Sequence, residues 1–288
     1  MSMRKTFIVR DPMNDDFAGT DIRPRPLPAD YVWRTNNRLR RLLDSSLHHV
    51  IATPLAFLYQ KLVWHERLVG RRRIRPYLRQ GVYLYGNHTR AAGDAFTPSL
   101  AAFPRRPFVL VHPDAVAVPG LRQVVRALGG IPVPTDIRNL GRFHGELLKL
   151  SPGNCVVIYP EAHIWPCYTG VRPFRDSSFR YPVETGQPVF AFTVTYRRHL
   201  ILPLPRTVVY IDGPFFPDSA LTLRQNQRKL RDEVYNAMCR RSQKSNFRYH
   251  EYVEQTEEAS QPDRCASHGR TNGICGTGKR KKQPLHPA

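Results

Sequence analysis

From residue 76 onward, the sequence alternates between short, strongly apolar runs and longer stretches in which apolar side chains recur at helical spacing. The apolar runs are rich in β-branched and aromatic residues, as buried strands are. These runs are residues 82–87, 107–113, 155–161, 188–196 and 207–213. The stretches between and after them predict helices at about 95–103, 119–128, 138–150 and 220–241. Because strands that alternate with helices build layered domains, we predict an α/β fold with a mostly parallel central sheet flanked by helices.

The composition divides the chain into four segments. Residues 1–34 are polar and interrupted by prolines, which predicts an extended leader. Residues 35–75 predict a helical segment that ends in an arginine cluster, and residues 76–250 hold the α/β domain. Residues 251–288 are polar and end in a basic run, so we predict a disordered basic tail there.

The helical segment combines an amphipathic pattern with positive charge. Apolar side chains recur at three- and four-residue steps, at Leu39, Leu42, Leu43, Leu47 and Val50. Pro54 should kink or split this helix, and the arginine-rich stretch 67–75 follows it. Two interpretations stay open: the helix lies on an anionic membrane surface, or it packs in the core beside a solvated basic loop.

The formal net charge of +21 over 288 residues calls for an anionic partner. Nucleic acid, an anionic membrane surface and phosphorylated substrates all qualify. The aromatic residues, however, lie mainly inside the predicted strands beside aliphatic neighbours, and the sequence contains no signature of a nucleic-acid recognition module. The expected partner is therefore a membrane surface rather than a nucleic acid.

Other features bear on the compartment. The sequence shows no signal peptide and no run of about 18 apolar residues, so we predict no transmembrane span. Its five cysteines form no C-x-x-C pair, which fits a reducing cytosol. Cys265, His268 and Cys275 are too few ligands to predict a metal site. We expect a cytoplasmic protein, peripheral on the inner face of the membrane.

The stretch "YGNHTRAAGDAF" places a histidine and an aspartate at a strand-to-helix junction. The first predicted strand runs into a loop that holds Asn87, a candidate substrate contact, together with His88 and Asp94, and a helix is predicted to follow. A neutral imidazole can take a hydroxyl proton, and a carboxylate on its other nitrogen fixes the tautomer and stabilises the imidazolium. The alternative is structural: Asp94 caps the helix, and His88 is a hydrogen-bonded turn residue.

A second strand end carries an acid followed by arginines. Glu161 closes the strand predicted at 155–161, and Arg172 and Arg175 precede the next strand. Together with the histidine and aspartate, these residues suggest a site that deprotonates one group and holds an anion nearby. The alternative is a Pro-Glu turn followed by an exposed basic loop.

Four blocks follow one another between residues 80 and 215. They are "GNHTRAAGD", "PFVLVHPDAVAVPGLRQVVRALGGIPV", "IYPEAHIWP" and "PFRDSSFRYPVETGQPVFAF". In this order they resemble the motifs of the glycerolipid, or PlsC-like, acyltransferases: N-H-x4-D, the stretch leading to a glycine-isoleucine motif, F-P-E-G-T-R-S, and a final block ending in P-I-x-P-V. One such block is a weak signal, whereas four collinear blocks with matching strand and helix context are a strong one.

The resemblance implies transfer of a fatty acyl group from acyl-CoA or acyl-carrier protein to a hydroxyl of a lysophospholipid, of the lysophosphatidic acid type, or of glycerol phosphate. It implies that His88 is the general base and that Asp94 orients it. Gly130 and Ile131 fall in the acceptor-binding motif, and Glu161 falls in the motif that helps bind the polar head. The acyl donor is a co-substrate, and the resemblance implies neither a cofactor nor a metal.

The sequence departs from the family pattern in the first motif. The spacing is H-x5-D, one residue longer, and one extra residue on a helix rotates a side chain by about 100°. Gly93, directly before Asp94, is expected to absorb that residue, because glycine accepts φ values that other residues avoid.

The second and third motifs lack the arginines that, in the family, are thought to bind the acceptor phosphate. Arg138 is the candidate replacement in the second motif, and Arg172 or Arg175 in the third. These departures leave alternatives open for the function. They are acylation of another lipid or a glycolipid and a non-catalytic lipid-binding relative. A more remote alternative, a nucleic-acid-binding basic protein, rests only on the net charge of +21.

Overall fold

A computed structural model describes residues 4–17, 27–28, 30–116, 125–126, 128–199 and 202–255. Its strands are β1 Thr6–Val9, β2 Arg67–Val69, β3 Val82–Gly86, β4 Pro107–Val111, β5 Gly130–Pro132, β6 Cys155–Ile158, β7 Val189–Arg197, β8 Arg206–Phe215 and β9 Glu251–Glu254. The α-helices that we label are α1 Arg38–Leu47, α2 Thr53–Leu62, α3 Arg71–Ile74, α4 Gly93–Ala102, α5 Ile137–Leu150, α6 Arg180–Thr185 and α7 Leu223–Ser242.

Seven strands form one sheet, in the order β2-β8-β7-β3-β6-β4-β5. The five strands from β7 to β5 are parallel to one another. Only the pairing of β7 with β8 is antiparallel in this sheet, and β2 is parallel to β8. The predicted fold class, an α/β domain with a mostly parallel central sheet, is therefore confirmed. Strands β1 and β9 form a second sheet, in which they are parallel.

Apolar side chains cover both faces of the large sheet. In the central strand β3, Val82 and Leu84 belong to one buried cluster, which also takes in the end of α4. Tyr83 and Tyr85 point the other way, into a cluster built from α5 and α7. Burial on both faces explains why the strands are continuous apolar runs rather than alternating ones. The carboxyl ends of β3, β6, β4 and β5 lie side by side, and catalytic residues in α/β sheets commonly lie at this edge.

Most predicted elements are present. The five predicted strands correspond to β3, β4, β6, β7 and β8, and three predicted helices correspond to α4, α5 and α7. The helix predicted at 119–128 lies mostly outside the described residues. Strands β2 and β5 were missed because three residues are too few to show a period. The prediction of a disordered tail from residue 251 is wrong for its first four residues, because β9 pairs there with β1 of the leader.

The segment 35–75 contains α1 and α2, joined by the π-helical turn His48–Ala52. Pro54 was predicted to kink or split the helix, and it lies in the first turn of α2, directly after the π-helical turn that separates α2 from α1. Many apolar side chains of this segment are exposed, which contradicts packing in the core of the described residues. This exposed apolar face comprises Leu39, Leu42, Leu43, Leu47, Val50, Ile51, Leu55, Phe57, Leu58 and Leu62. Among the residues placed by the structure, no helix is both long and apolar enough to cross a bilayer.

Candidate active site

His88 and Asp94 lie just beyond the carboxyl end of β3 and form a hydrogen-bonded pair. His88 Nδ1 is 2.9 Å from Asp94 Oδ2. Asp94 is buried, whereas the imidazole lines a cleft and stacks on the ring of Tyr159, with centroids 4.4 Å apart. Because the carboxylate accepts from Nδ1–H, the Nε2 atom is the one left to exchange a proton with a bound hydroxyl. The stacked tyrosine was not anticipated from the sequence.

A tight turn accommodates the six-residue separation. The Asp94 N–H, in the first turn of α4, donates to the Arg90 carbonyl at 3.1 Å, which folds the chain back on itself. Besides the imidazole, Asp94 Oδ2 accepts the backbone N–H groups of Thr89 at 2.8 Å and Arg90 at 2.9 Å. The loop thus wraps around the carboxylate that it orients. Because these N–H groups are occupied, they are not free to stabilise an oxyanion.

Gly93 is required here for a different reason from the one predicted. Its φ is not in the left-handed region, so the turn does not depend on glycine's conformational freedom. Instead, a Cβ at this position would lie 2.9 Å from Nε and 3.0 Å from Cζ of Arg90. The Arg90 side chain therefore fills the space that any larger residue at position 93 would need.

Arg90 connects Asp94 to a buried ion pair that was not predicted from the sequence. Its Nη1 lies 2.9 Å from Glu66 Oε2, and its Nε lies 3.4 Å from Asp94 Oδ1. Thr97 accepts from Arg90 Nη2 at 2.8 Å and donates to Glu66 at 2.7 Å. Burial lowers the pKa of Arg90, but Glu66 and then Asp94 raise it by more, so its pKa lies above the ordinary value. Gln60 of α2 joins the same network and ties the exposed helices to the site.

Glu161 lines the cleft, but both of its carboxylate oxygens are engaged by backbone N–H groups, one of them that of the histidine. Its Oε2 accepts the His88 N–H at 3.0 Å, and its Oε1 accepts the Arg172 N–H at 3.0 Å. The Trp165 N–H donates to the His88 carbonyl at 3.1 Å, so both backbone groups of His88 are held by one neighbouring loop. Burial raises the pKa of Glu161, and Arg172 opposes this shift.

Two predicted substrate contacts have structural partners instead. Arg172 is buried, donates to the carbonyls of Glu161 and His163, and stacks over Trp165, so it does not line the cleft. Asn87 is also buried: its amide donates to the Val194 carbonyl at 3.2 Å and accepts the Val194 N–H at 2.8 Å. It therefore replaces a backbone pairing between β3 and β7. Both predictions of a direct contact are corrected accordingly.

The cleft beside His88 has a volume of about 1060 Å³ and a mainly apolar lining. It lies at the carboxyl edge of the sheet, between α4 and the ends of β4, β5 and β6. A space of this size takes a ligand as large as a lipid chain with its headgroup. Apolar lining side chains include Phe96, Val109, Val111, Leu128, Ile158 and Phe174. Among the described residues, one arginine lines the cleft: Arg175, whose side chain is exposed.

Of the residues predicted to bind the acceptor in the second motif, one lines the cleft and two do not. Gly130 lines the cleft, but a Cβ there would also lie 2.3 Å from the Val125 side chain, so close packing alone explains the glycine. Ile131 is buried in the core and does not reach the cleft. Arg138 is exposed in the first turn of α5 and does not line the cleft either.

The two buried cysteines of the sheet region are not candidate nucleophiles. Burial raises the pKa of Cys167, close to Arg90 and Asp94, to about 12, so its thiol stays protonated and inert at neutral pH. Burial likewise raises the pKa of Cys155 to about 12. Within the described ranges, no three His, Cys, Asp or Glu side chains cluster as metal ligands would. The candidates Cys265, His268 and Cys275 lie outside those ranges.

Comparison with known proteins gives similarities to solved structures but no match by sequence. No protein-family model matches the chain, and no curated protein sequence matches it. Among solved structures, it is similar to the 1-acyl-sn-glycerophosphate (LPA) acyltransferase, PlsC, from Thermotoga maritima, with a TM-score of 0.46 and 18% sequence identity. The match covers 72% of this chain and 96% of that chain. A similarity of this size does not carry function from one chain to the other.

Proposed function

We propose that this chain is an O-acyltransferase. It moves a fatty acyl group from acyl-CoA or acyl-carrier protein to a hydroxyl of a lysophospholipid or glycerol phosphate. The observation that carries the proposal is the His88–Asp94 pair on the wall of a large apolar cleft. The four sequence blocks that resemble acyltransferase motifs support the same chemistry. No protein nucleophile is needed, because the acceptor supplies the attacking hydroxyl.

The proposed reaction is a single acyl transfer with one proton relay. His88 Nε2 takes the proton of the acceptor hydroxyl while the oxygen attacks the thioester carbonyl carbon. Asp94 stabilises the imidazolium that forms, through the hydrogen bond at Nδ1. The tetrahedral intermediate then expels the thiolate, which receives the proton from the imidazolium. The products are an ester and a free thiol, and the histidine is again neutral.

The cleft provides separate surroundings for the two ends of a lipid substrate. Its apolar wall suits an acyl chain, since burial of each CH₂ contributes about 0.8 kcal/mol. Arg175 is the proposed contact for an acceptor phosphate, because it lines the cleft while Arg138 does not and Arg172 is engaged with Glu161. This assignment favours a phosphorylated acceptor over a neutral glycolipid.

Membrane association is part of the same proposal. The exposed apolar face of α1 and α2 suits insertion into the boundary between headgroups and acyl chains. The arginines of α3 follow this face in the sequence and would meet anionic headgroups. His48, Ala52 and Ala56 of the same helical segment line the cleft, so a lipid has a short path from the bilayer to the site.

The test is release of free CoA thiol from a long-chain acyl-CoA, with lysophosphatidic acid as the first acceptor. Loss of general-base catalysis predicts that His88→Ala lowers turnover by about 10²–10⁴-fold. His112→Ala is the matched control, because His112 also lines the cleft but pairs with Asp114 at 3.0 Å, away from the dyad. Wild-type turnover in His88→Ala would sink the catalytic role.

The same assay separates the alternatives. Vesicle binding without thiol release on any acceptor indicates a non-catalytic lipid-binding protein. Release with a neutral lipid or glycolipid, but not with lysophosphatidic acid, moves the proposal to another acceptor. Affinity for nucleic acid that falls steeply with salt and ignores lipid indicates the nucleic-acid-binding alternative.

A further inference from the structure

A second depression, of about 350 Å³, lies at the opposite edge of the sheet from the catalytic cleft. Its floor is formed where β4 begins and by Asn154, directly before β6, whereas His88 lies beyond the carboxyl end of β3. One wall is the inward side of α1, with Arg41, Asp44 and Ser45. Arginine dominates the lining. The arginines of this pocket, which we call the arginine pocket, are Arg34, Arg41, Arg105, Arg106 and Arg126.

The positive charge of the arginine pocket is not neutralised by the described residues. Asp44 is the one carboxylate in its lining, and it forms no ion pair within 4.0 Å in the described part of the chain. The guanidinium groups of Arg34, Arg41 and Arg105 likewise have no hydrogen-bond or ion-pair partner among the residues placed by the structure. Five guanidinium groups held together with a single carboxylate create a local field that favours a bound anion.

Arg106 adds a partly buried donor at the bottom of the pocket. One Nη donates to the Arg126 carbonyl at 2.6 Å, while the buried Nε has no hydrogen-bond partner among the described residues. Burial lowers the pKa of Arg106, and Asp44 opposes this shift. A buried donor without a partner is costly, and phosphate oxygens are among the acceptors that guanidinium groups bind most strongly.

The position of α1 indicates where such a phosphate comes from. Side chains at 41, 44 and 45 face the arginine pocket, and the leucines at 39, 43 and 47 lie about 180° around the helix. Those leucines are exposed, with Leu39 at 66%. When the apolar face is inserted in a bilayer, the pocket directly behind it lies at the level of the lipid phosphates. A free phosphate in solution would have no need of this neighbouring apolar surface.

We propose that the arginine pocket binds the headgroup phosphate of an anionic phospholipid, at a non-catalytic site separate from the cleft. The proposal rests on the proposed membrane association but not on acyl transfer. Such a site anchors and orients α1 and α2 on the bilayer, with the catalytic cleft held at a fixed height above it.

The test is co-flotation with phosphatidylcholine vesicles that contain or lack one-fifth phosphatidylglycerol. The variant Arg41→Gln/Arg105→Gln removes two arginines without structural partners, so the fold is retained. Its matched control is Arg38→Gln/Arg40→Gln, which removes the same charge from exposed positions on α1 outside the pocket. We expect the pocket variant to lose at least about tenfold in affinity for the anionic vesicles, at about 1 kcal/mol per arginine. The control should lose no more than about threefold.

Several outcomes overturn the proposal. Equal losses in the two variants mean that only diffuse charge is involved. Displacement of wild-type protein from anionic vesicles by millimolar inorganic phosphate or by CoA means that the pocket takes a soluble phosphate instead. Equal binding of wild type to neutral and anionic vesicles also refutes it. Because binding is measured without turnover, a wild-type protein that releases no thiol refutes acyl transfer and leaves this comparison intact.

Discussion

The buried ion pair behind the proposed catalytic dyad permits a specific prediction about Arg90. The side chains of Glu66, Arg90 and Asp94 are each about 1% exposed, so Arg90 is the cation that compensates two buried carboxylates. Arg90→Met keeps an unbranched side chain of similar reach but removes the charge. It leaves the oxygens that were 2.9 Å and 3.4 Å from the guanidinium without their cation.

The expected cost follows from this geometry. Removal of one partner from a buried ion pair costs about 3–5 kcal/mol, because the charge left behind stays buried. For a folded unit of this size, that corresponds to a decrease in Tm of about 6–20 °C. The double variant Glu66→Gln/Arg90→Met leaves one buried carboxylate fewer. We expect it to be at least about 1 kcal/mol more stable than Arg90→Met alone, a coupling of the size found for residues in contact.

The assay is urea unfolding followed by tryptophan fluorescence, in a cycle of wild type, both single variants and the double variant. Trp64 is a suitable reporter, since the Arg90 guanidinium lies 5.4 Å from its ring centroid. The free energy of unfolding is compared across the cycle. Two results refute the reasoning: an Arg90→Met variant within about 1 kcal/mol of wild type, or single-variant effects that add to the double-variant effect within about 0.5 kcal/mol.

Three further predictions follow from single side chains. Burial lowers the pKa of His48 to about 4 in the folded protein. Because the unfolded chain binds the proton with a pKa of about 6.5, His48 does not reduce stability above that pH, and the free energy of unfolding decreases as the pH falls from about 6.5 toward 4. In thermal unfolding from pH 8 to pH 4, His48→Gln should therefore lose less stability than wild type, by up to about 3 kcal/mol; parallel curves would contradict this. Gly93→Ala should displace Arg90 and lower turnover by about tenfold or more, with KM nearly unchanged, as thiol release at saturating acceptor will show. Arg175→Gln should raise KM for lysophosphatidic acid by about tenfold through loss of a charged hydrogen bond, whereas Arg138→Gln should not; the reverse order would assign the phosphate to Arg138.

The fold was largely predictable because its strands are buried on both faces. Runs such as 82–87 and 155–161 are apolar throughout, and this pattern leaves few alternatives to a covered parallel sheet. The pairing of β1 with β9 was not predictable, because it joins residues near the two ends of the described chain through polar sequences. Local periodicity carries no information about such a distant contact.

The sequence was enough to predict the His88–Asp94 pair of the candidate site, but not the residues that hold this pair in place. The spacing of His88 and Asp94 drew attention to both, but the partners that hold them depend on the tertiary fold. Glu66 is 24 residues from Arg90 in the chain, and nothing in its neighbourhood distinguishes it from a solvated acid. Arg172 and Arg175 occupy one short basic stretch, yet the first is buried and the second is exposed. Composition cannot separate two such arginines, because burial is decided by the loop that Glu161 organises.

The long spacing between His88 and Asp94 is related to the position of the Arg90 side chain. With five residues between histidine and aspartate, the turn has room for a buried side chain beneath Gly93, and Arg90 occupies that space. The arginine binds Asp94 Oδ1, while the turn's own N–H groups and the imidazole occupy Oδ2. Each carboxylate oxygen thus has its own partners, which leaves Asp94 a single orientation toward His88. The same arginine contacts Gln60 and Glu66, at and just after the end of α2. Through this one buried guanidinium, α2 is connected to the proposed His88–Asp94 dyad.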